Sequence, residues 1–226
     1  MDCPANPCYP PGMTDYNPPS DPFNIIHEDQ HLLVVDKPAG LLSVPGKGEH
    51  LSDCLLARIQ AIFPAALLVH RLDRDTSGVM VFALTKMAQR HLGLQFEKRH
   101  IQKTYAALVQ GHVAEPTGTV DLPLIVDWEN RPRQIVDHEN GRQAITDWQV
   151  IEHDGDTTRL ALMPKTGRSH QLRVHMLAIG HPIIGDPFYA SGPAVDAPRM
   201  MLHSHKLRLR HPEGGQGMCF TAQVPF

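Results

Sequence analysis

The sequence predicts an α+β protein: a single domain over residues 23–226 with a mixed, largely antiparallel sheet flanked by helices. Three observations carry this. Short apolar runs of strand character outnumber helical ones. Turns rich in Gly, Pro and Asp link most of them closely, which suits antiparallel neighbours. Only three segments hold a helical period.

Taken in order, residues 1–22 carry Pro at 4, 7, 10, 11, 18, 19 and 22 and no apolar periodicity, so they read as an extended or disordered tail. Ile25-Ile26 and Leu32 to Val35 flank the polar stretch His27 to His31 and suggest a hairpin. Lys37-Pro38-Ala39-Gly40 forces a turn. Asp53 to Ile62 is helical, with apolar residues at 55, 56, 59 and 62, Ser52 as N-cap and Pro64 as terminator. Leu67 to Val69 and Val79 to Leu84 are strands. Thr85 caps a helix running to about Arg99. Gln102 to Gln110 alternates as a strand. Residues 112–142, rich in Gly, Pro and charge, read as a long loop or hairpin excursion. Ala144 to Glu152 and Thr157 to Met163 pair about Asp154-Gly155-Asp156. Ser169 to Ile179 is a helix capped by Ser169 and closed by Gly180. The last strands cover about 200–210 and 218–224.

The chain has 226 residues, 42% hydrophobic and 20% charged, a globular composition. Its longest apolar run, Val79 to Leu84, falls far short of the roughly 20 residues of a membrane span. The N-terminus lacks the basic start and apolar core of a secretory signal. Cysteines at 3, 8, 54 and 219 form no C-x-x-C pair, so a reducing cytoplasm is the natural setting. Net charge is −3, but it is unevenly spread: residues 1–60 sum to −5 and residues 164–211 to +5. That permits a basic face on an acidic protein, and equally an ordinary solvated surface.

The densest polar cluster is His70-Arg71-Leu72-Asp73-Arg74-Asp75-Thr76-Ser77-Gly78, between two apolar strands. Core strands hold such a loop rigidly and can deliver Asp73, flanked by Arg71 and Arg74, to a cleft as a nucleophile or base. The same residues also suit a plain turn whose Asp, Thr and Ser side chains bond their own backbone. A second cluster, Pro164 to His175, turns from strand into helix. It sets Arg168 just outside the helix N-terminus, where an anion such as phosphate or a carboxylate is favoured. Leu172 and Arg173 fall on different helix faces, so one face can pack while the other meets a ligand. Fifteen histidines raise a metal reading. His170 and His175 miss the three- or four-residue spacing of helical ligands, His203 and His205 do share a strand face, and no H-E-x-x-H accompanies them, so no metal is expected. Tyr105 in Lys103-Thr104-Tyr105 is either a core ring or a platform for a base.

HRLDRDTSG resembles the catalytic motif of the RluA-type pseudouridine synthases. Lys103-Thr104-Tyr105, Leu162 to Arg173, and Leu202-His203 followed by His211-Pro212 resemble that family's other motifs in the same order, so the similarity spans about residues 23–226. Asp121 to Ile125, Asp127-Trp128 and Asn130-Arg131-Pro132 resemble its A-type subgroup. Tyr16-Asn17-Pro18-Pro19 leads straight into the catalytic region, leaving no room for an S4-like domain. The resemblance implies isomerisation of uridine to pseudouridine, with 23S rRNA and tRNA anticodon stem-loops as partners, no cofactor, no metal and no membrane, in a monomer. It makes Asp73 the essential carboxylate, with Arg168 pairing with it, Tyr105 stacking on the target uracil and Leu202 supporting the site. Arg71 would fill the stack vacated by a flipped base, and Arg131, Arg133, Lys165 and Arg173 would bind RNA. A non-catalytic RNA-binding protein remains the alternative, with a metal-dependent hydrolase third.

Overall fold

The computed structural model describes residues 16–226. The Pro-rich tail expected over 1–22 therefore lies outside the described residues as far as position 15. Residues 16–22 form no helix or strand, but they are anchored: the Tyr16 hydroxyl donates to the Asp53 carbonyl (2.9 Å) and accepts from the Leu42 amide (3.0 Å).

The first part of the chain supplies β1 (Asn24–Glu28), β2 (Leu32–Lys37), α1 (Leu55–Ile62), β3 (Leu67–Leu68), β4 (Ser77–Ala83) and α2 (Lys86–Glu97). Successive side chains of a strand point to opposite faces. Leu32, Val34, Val79 and Val81 pack on one face with Leu92 of α2, and Leu33, Val35, Met80 and Phe82 pack on the other with Leu55 and Ile59 of α1. Burial on both faces is why β2 and β4 read as continuous apolar runs instead of alternating ones. Thr85 caps α2, its hydroxyl accepting from the Ala88 amide (3.1 Å).

The second part supplies β5 (Gln102–Gln110), β6 (Thr117–Asp121), β7 (Leu124–Val126), β8 (Gln134–Val136), β9 (Ile145–Asp154), β10 (Thr157–Pro164), α3 (Gln171–Ala178), β11 (Leu202–Arg210) and β12 (Gly217–Thr221). The main sheet runs β1-β2-β4-β11-β5-β10-β9-β6, with β3 beside β4 and β12 beside β11, while β7 and β8 form a separate hairpin. All pairings are antiparallel except β4 with β11, which is parallel through His203↔Ser77 and Ser204↔Gly78. Gly78 is required at that join. Its φ is +110°, and a Cβ there would meet the Ser204 carbonyl oxygen at 2.3 Å.

Four local expectations need correction. Residues 112–142 do hold a hairpin excursion, β7–β8, but they also supply β6, which pairs with β9 at the edge of the main sheet. Ser52 does not cap α1. It closes a short 3₁₀ turn over Glu49–Leu51, and the Cys54 thiol caps the helix by accepting from the Ala57 amide. Ser169 does not cap α3, which starts at Gln171 after His170 in the left-handed region. Finally, α3 does not divide into a packed face and a ligand face: Gln171 through Met176 are all buried, and Leu172 and Arg173 both reach the cavity from its first turn. Among the described residues no helix is long and apolar enough to cross a membrane.

Candidate active site

Asp73 sits on the loop joining β3 to β4, in the middle of the sheet. The loop is pinned around it. The Ser43 hydroxyl donates to the Leu72 carbonyl (2.7 Å) while its oxygen accepts the Leu72 amide (3.1 Å). The fully buried Lys37 ammonium donates to the carbonyls of Arg74 (2.8 Å), Leu41 (2.7 Å) and Pro38 (2.9 Å). Each ammonium hydrogen thus has an acceptor, which is what lets a lysine be buried beneath a loop. The Thr76 amide donates to the Asp73 carbonyl (3.2 Å).

A cavity of about 320 Å³ opens over this loop, a size suited to a small ligand or a single flipped base. Sheet register brings its walls together. Tyr105 on β5 lies opposite Leu162 of β10 and Ser204 of β11, and Leu202 opens β11 two residues before Ser204. Both line the cavity, as do Arg71, Asp73, Lys103, Arg168 and Arg173.

The cation facing Asp73 is Arg173, not Arg168. Arg173 Nη1 donates to Asp73 Oδ2 (3.3 Å), while its Nε and Nη2 grip Asp186 (2.7 and 2.8 Å). Asp186 is itself fully buried and accepts the Phe188 and Tyr189 amides at Oδ1 (2.9 and 3.1 Å). Arg173 is therefore a buried bridge between two carboxylates, lying over the Phe188 and Tyr189 rings, and not a phosphate ligand. Because α3 begins only at Gln171, Arg173 falls in its first turn and points inward, while Arg168 stays on the rim and donates through Nε to the Gln143 carbonyl (3.2 Å).

The structure brings together Asp73, Tyr105, Leu202, Arg71, Arg168 and Arg173, and leaves three residues outside the cavity wall. Lys165 is paired with Asp147 (2.8 Å). The Arg133 guanidinium donates to the Phe188 carbonyl. Arg131 lies 3.8 Å above the exposed Trp128 ring. Arg74, expected beside Asp73, is drawn off by Asp75 (2.9 and 3.1 Å). Arg71 is exposed on the lip and makes no hydrogen bond or ion pair among the described residues. Sequence reasoning missed Asp186, Tyr189, His170 and Ser43, which lie outside the motif or among its apparently plain polar residues. Of the histidines weighed as ligands, His175 bonds Thr146 and the Leu122 carbonyl, His205 bonds the Ala222 carbonyl, and His203 bonds Ser77 through Nδ1 while its Nε2 has no partner among the described residues.

Residues 31–178 match the family model described as RNA pseudouridylate synthase. The chain belongs to the RNA pseudouridylate synthase family. The synthase is 53% identical over 218 residues to the dual-specificity RNA pseudouridine synthase RluA of Escherichia coli K12, covering 95% of this chain and all of that one. It is 48% identical to the protein of the same name from Haemophilus influenzae, over 95% of this chain and 99% of that one. Among solved structures it resembles human RNA pseudouridylate synthase domain containing 1, with a TM-score of 0.79 and 32% identity, covering 93% of this chain and 87% of that one. The family is one of isomerases.

The synthase's cavity perturbs the groups that line it. Burial pushes the Tyr105 phenol up to about 12, with Asp73 adding to the rise and Ser204 opposing it. Tyr105 therefore stays protonated at neutral pH. Burial lowers the Lys103 ammonium and takes Lys37 down to about 7, against the pull of Asp75 and Asp73. Burial and the neighbouring Arg142 and Arg99 lower the Arg168 guanidinium, which marks a cluster of cations on the rim. His70 is driven down to about 3 by burial and by Lys103. It is neutral, and its Nε2 accepts the Val81 amide (3.1 Å).

Proposed function

We propose that this synthase isomerises specific uridines to pseudouridine in 23S rRNA and in tRNA anticodon stem-loops, with Asp73 as the essential carboxylate. In the isomerisation C1′–N1 breaks, the uracil turns, C1′ bonds to C5, C5 gives up its proton and N1 takes one. Reactant and product have the same composition, so no co-reactant enters. The observation that carries the reading is the half-buried Asp73 carboxylate, held by Arg173 under a cavity of one-base size with Tyr105 and Leu202 as walls.

A uridine inside a folded RNA reaches that carboxylate only after flipping out, at roughly a few kcal/mol. The exposed Arg71 at the lip suits the vacated stack, since a guanidinium plane stacks on bases. Arg168, with Arg142 and Arg99 near it, suits the RNA phosphates. Arg131 over the exposed Trp128 offers a flat cationic platform on the β7–β8 hairpin. A single catalytic domain acting as a monomer in the cytoplasm reads a small footprint, so two RNAs that present the same loop look alike to it.

The test is Asp73→Asn with RNA carrying tritium at uridine C5, because bonding C5 to C1′ releases that hydrogen. The variant folds, binds both stem-loops and releases no tritium. Substantial release from a pure preparation would sink the assignment. If isolated stem-loops are left untouched while intact ribosomal RNA is modified, the small-footprint reading fails.

A further inference from the structure

His170 is a non-glycine residue with φ at +52°. It occupies the N-cap position of α3, yet its side chain caps nothing. A backbone held in the left-handed region without a local return needs another reason, and such strain gathers at functional sites. Here the unusual backbone delivers the imidazole to the cavity wall, 9% exposed, with Nε2 3.9 Å from Asp73 Oδ2. That is the same oxygen Arg173 holds. Among the described residues nothing bonds Asp73 Oδ1.

The hydrogen bonds around the ring favour one tautomer. The Gln134 amide at the start of β8 donates to the Tyr189 phenol oxygen (2.7 Å). The Tyr189 hydroxyl hydrogen is then free to donate to His170 Nδ1 (2.8 Å). With Nδ1 accepting, the proton of a neutral imidazole sits on Nε2, facing Asp73. Burial and Arg173 both disfavour the charged ring, and Asp73, Asp186 and Asp75 are the carboxylates that oppose them.

We propose that His170 is a positioning residue for this reaction, giving its Nε2–H to Asp73 Oδ2 beside Arg173 so that Oδ1 stays turned toward the substrate. The separation of 3.9 Å is longer than a hydrogen bond, and catalytic contacts of this kind tighten once substrate fills the site. The inference rests on Asp73 being the essential carboxylate. It adds that the β7–β8 hairpin sets the histidine's tautomer through Tyr189, which links the outer hairpin to the reacting group.

The experiment combines two variants with nitrogen NMR of the imidazole in the full chain. His170→Asn keeps a residue that tolerates the left-handed backbone but loses the ring. Tyr189→Phe keeps both rings and loses only the hydroxyl that feeds Nδ1. The wild-type spectrum shows the neutral Nε2–H tautomer at pH 7, and Tyr189→Phe shows a tautomer mixture. Turnover falls about 10- to 100-fold in His170→Asn, the worth of one hydrogen bond to a charged group, and less in Tyr189→Phe, with KM for stem-loop RNA within twofold in both. A wild-type Nδ1–H tautomer, turnover within twofold of wild type in both variants, or a loss carried by KM would each overturn the proposal. If His170→Asn fails to fold, Tyr189→Phe and the spectrum decide. The tautomer reading does not depend on catalysis, so an active Asp73→Asn would sink the assignment of Asp73 while leaving the state of His170 separately measured.

Discussion

Replacing Arg173 by Met removes one cation from between two carboxylates, and the structure separates the two losses. Asp186 is fully buried and loses both bonds of its bidentate pair (2.7 and 2.8 Å). A buried charge stripped of its partner costs about 3–5 kcal/mol, so urea unfolding followed by circular dichroism shifts by that amount. Asp73 is half-buried and loses the cation that holds its Oδ2 at 3.3 Å. Turnover therefore drops. The double variant Arg173→Met with Asp186→Asn tells the effects apart. The Asn amide oxygen can still accept the Phe188 and Tyr189 amides that Asp186 Oδ1 takes now, and no charge is left buried. Stability recovers to within about 1–2 kcal/mol of wild type, while turnover stays low. Recovery of wild-type turnover together with stability would refute the reasoning, because it would mean Arg173 serves the fold alone.

Two further outcomes follow from the same geometry. Tyr105→Phe keeps the ring and binds stem-loop RNA nearly as well as wild type, whereas Tyr105→Ala binds about 10- to 100-fold more weakly, since a base on an aromatic ring is worth about 1–3 kcal/mol; equal affinities would mean the ring carries no base. His70 has a folded pKa lowered to about 3 from the ordinary 6.5, so the unfolded chain binds the extra proton first and stability is lost as pH falls below 6.5. At pH 5 that amounts to about 2 kcal/mol, and His70→Gln, which keeps an acceptor for the Val81 amide without titrating, loses correspondingly less in urea unfolding between pH 7 and pH 5; an unchanged pH dependence would show that His70 is not the group responsible.

Much of the architecture was legible because local rules decide it. The strand over Gln102–Gln110 alternates, and Thr85 caps α2, because pleat and cap are set by neighbours in sequence. The misses are non-local. β6 buries little besides Val120, so its period is weak, and only its pairing with β9 makes it a strand. Ser52 has the right chemistry for a cap, but a 3₁₀ turn ahead of it moves the helix start to Leu55. In the site, the loop carrying Asp73 and the positions of Tyr105 and Leu202 were readable from the motif, but the choice between Arg168 and Arg173 was not. It depends on Asp186, which lies beyond the far end of α3, and on a left-handed residue that delays the helix. Spacing along the helix carries no trace of either.

The parallel join of β4 with β11 has a consequence for how the chain becomes active as it is made. Phe220 and Ala222 complete the cluster built on Leu32, Val34, Val79 and Val81. On a ribosome adding about 5–20 residues per second, β4 waits on the order of ten seconds for the β11 edge it pairs with, and meanwhile α2 covers that cluster only in part. During that interval Asp73 has neither Arg173 nor Tyr105 near it. The nascent chain therefore carries its motif without a working site, and competence arrives in one step when the last strands dock. Early in synthesis this segment is a client for whatever shields apolar surface near the exit tunnel, and no uridine is at risk from a half-made enzyme.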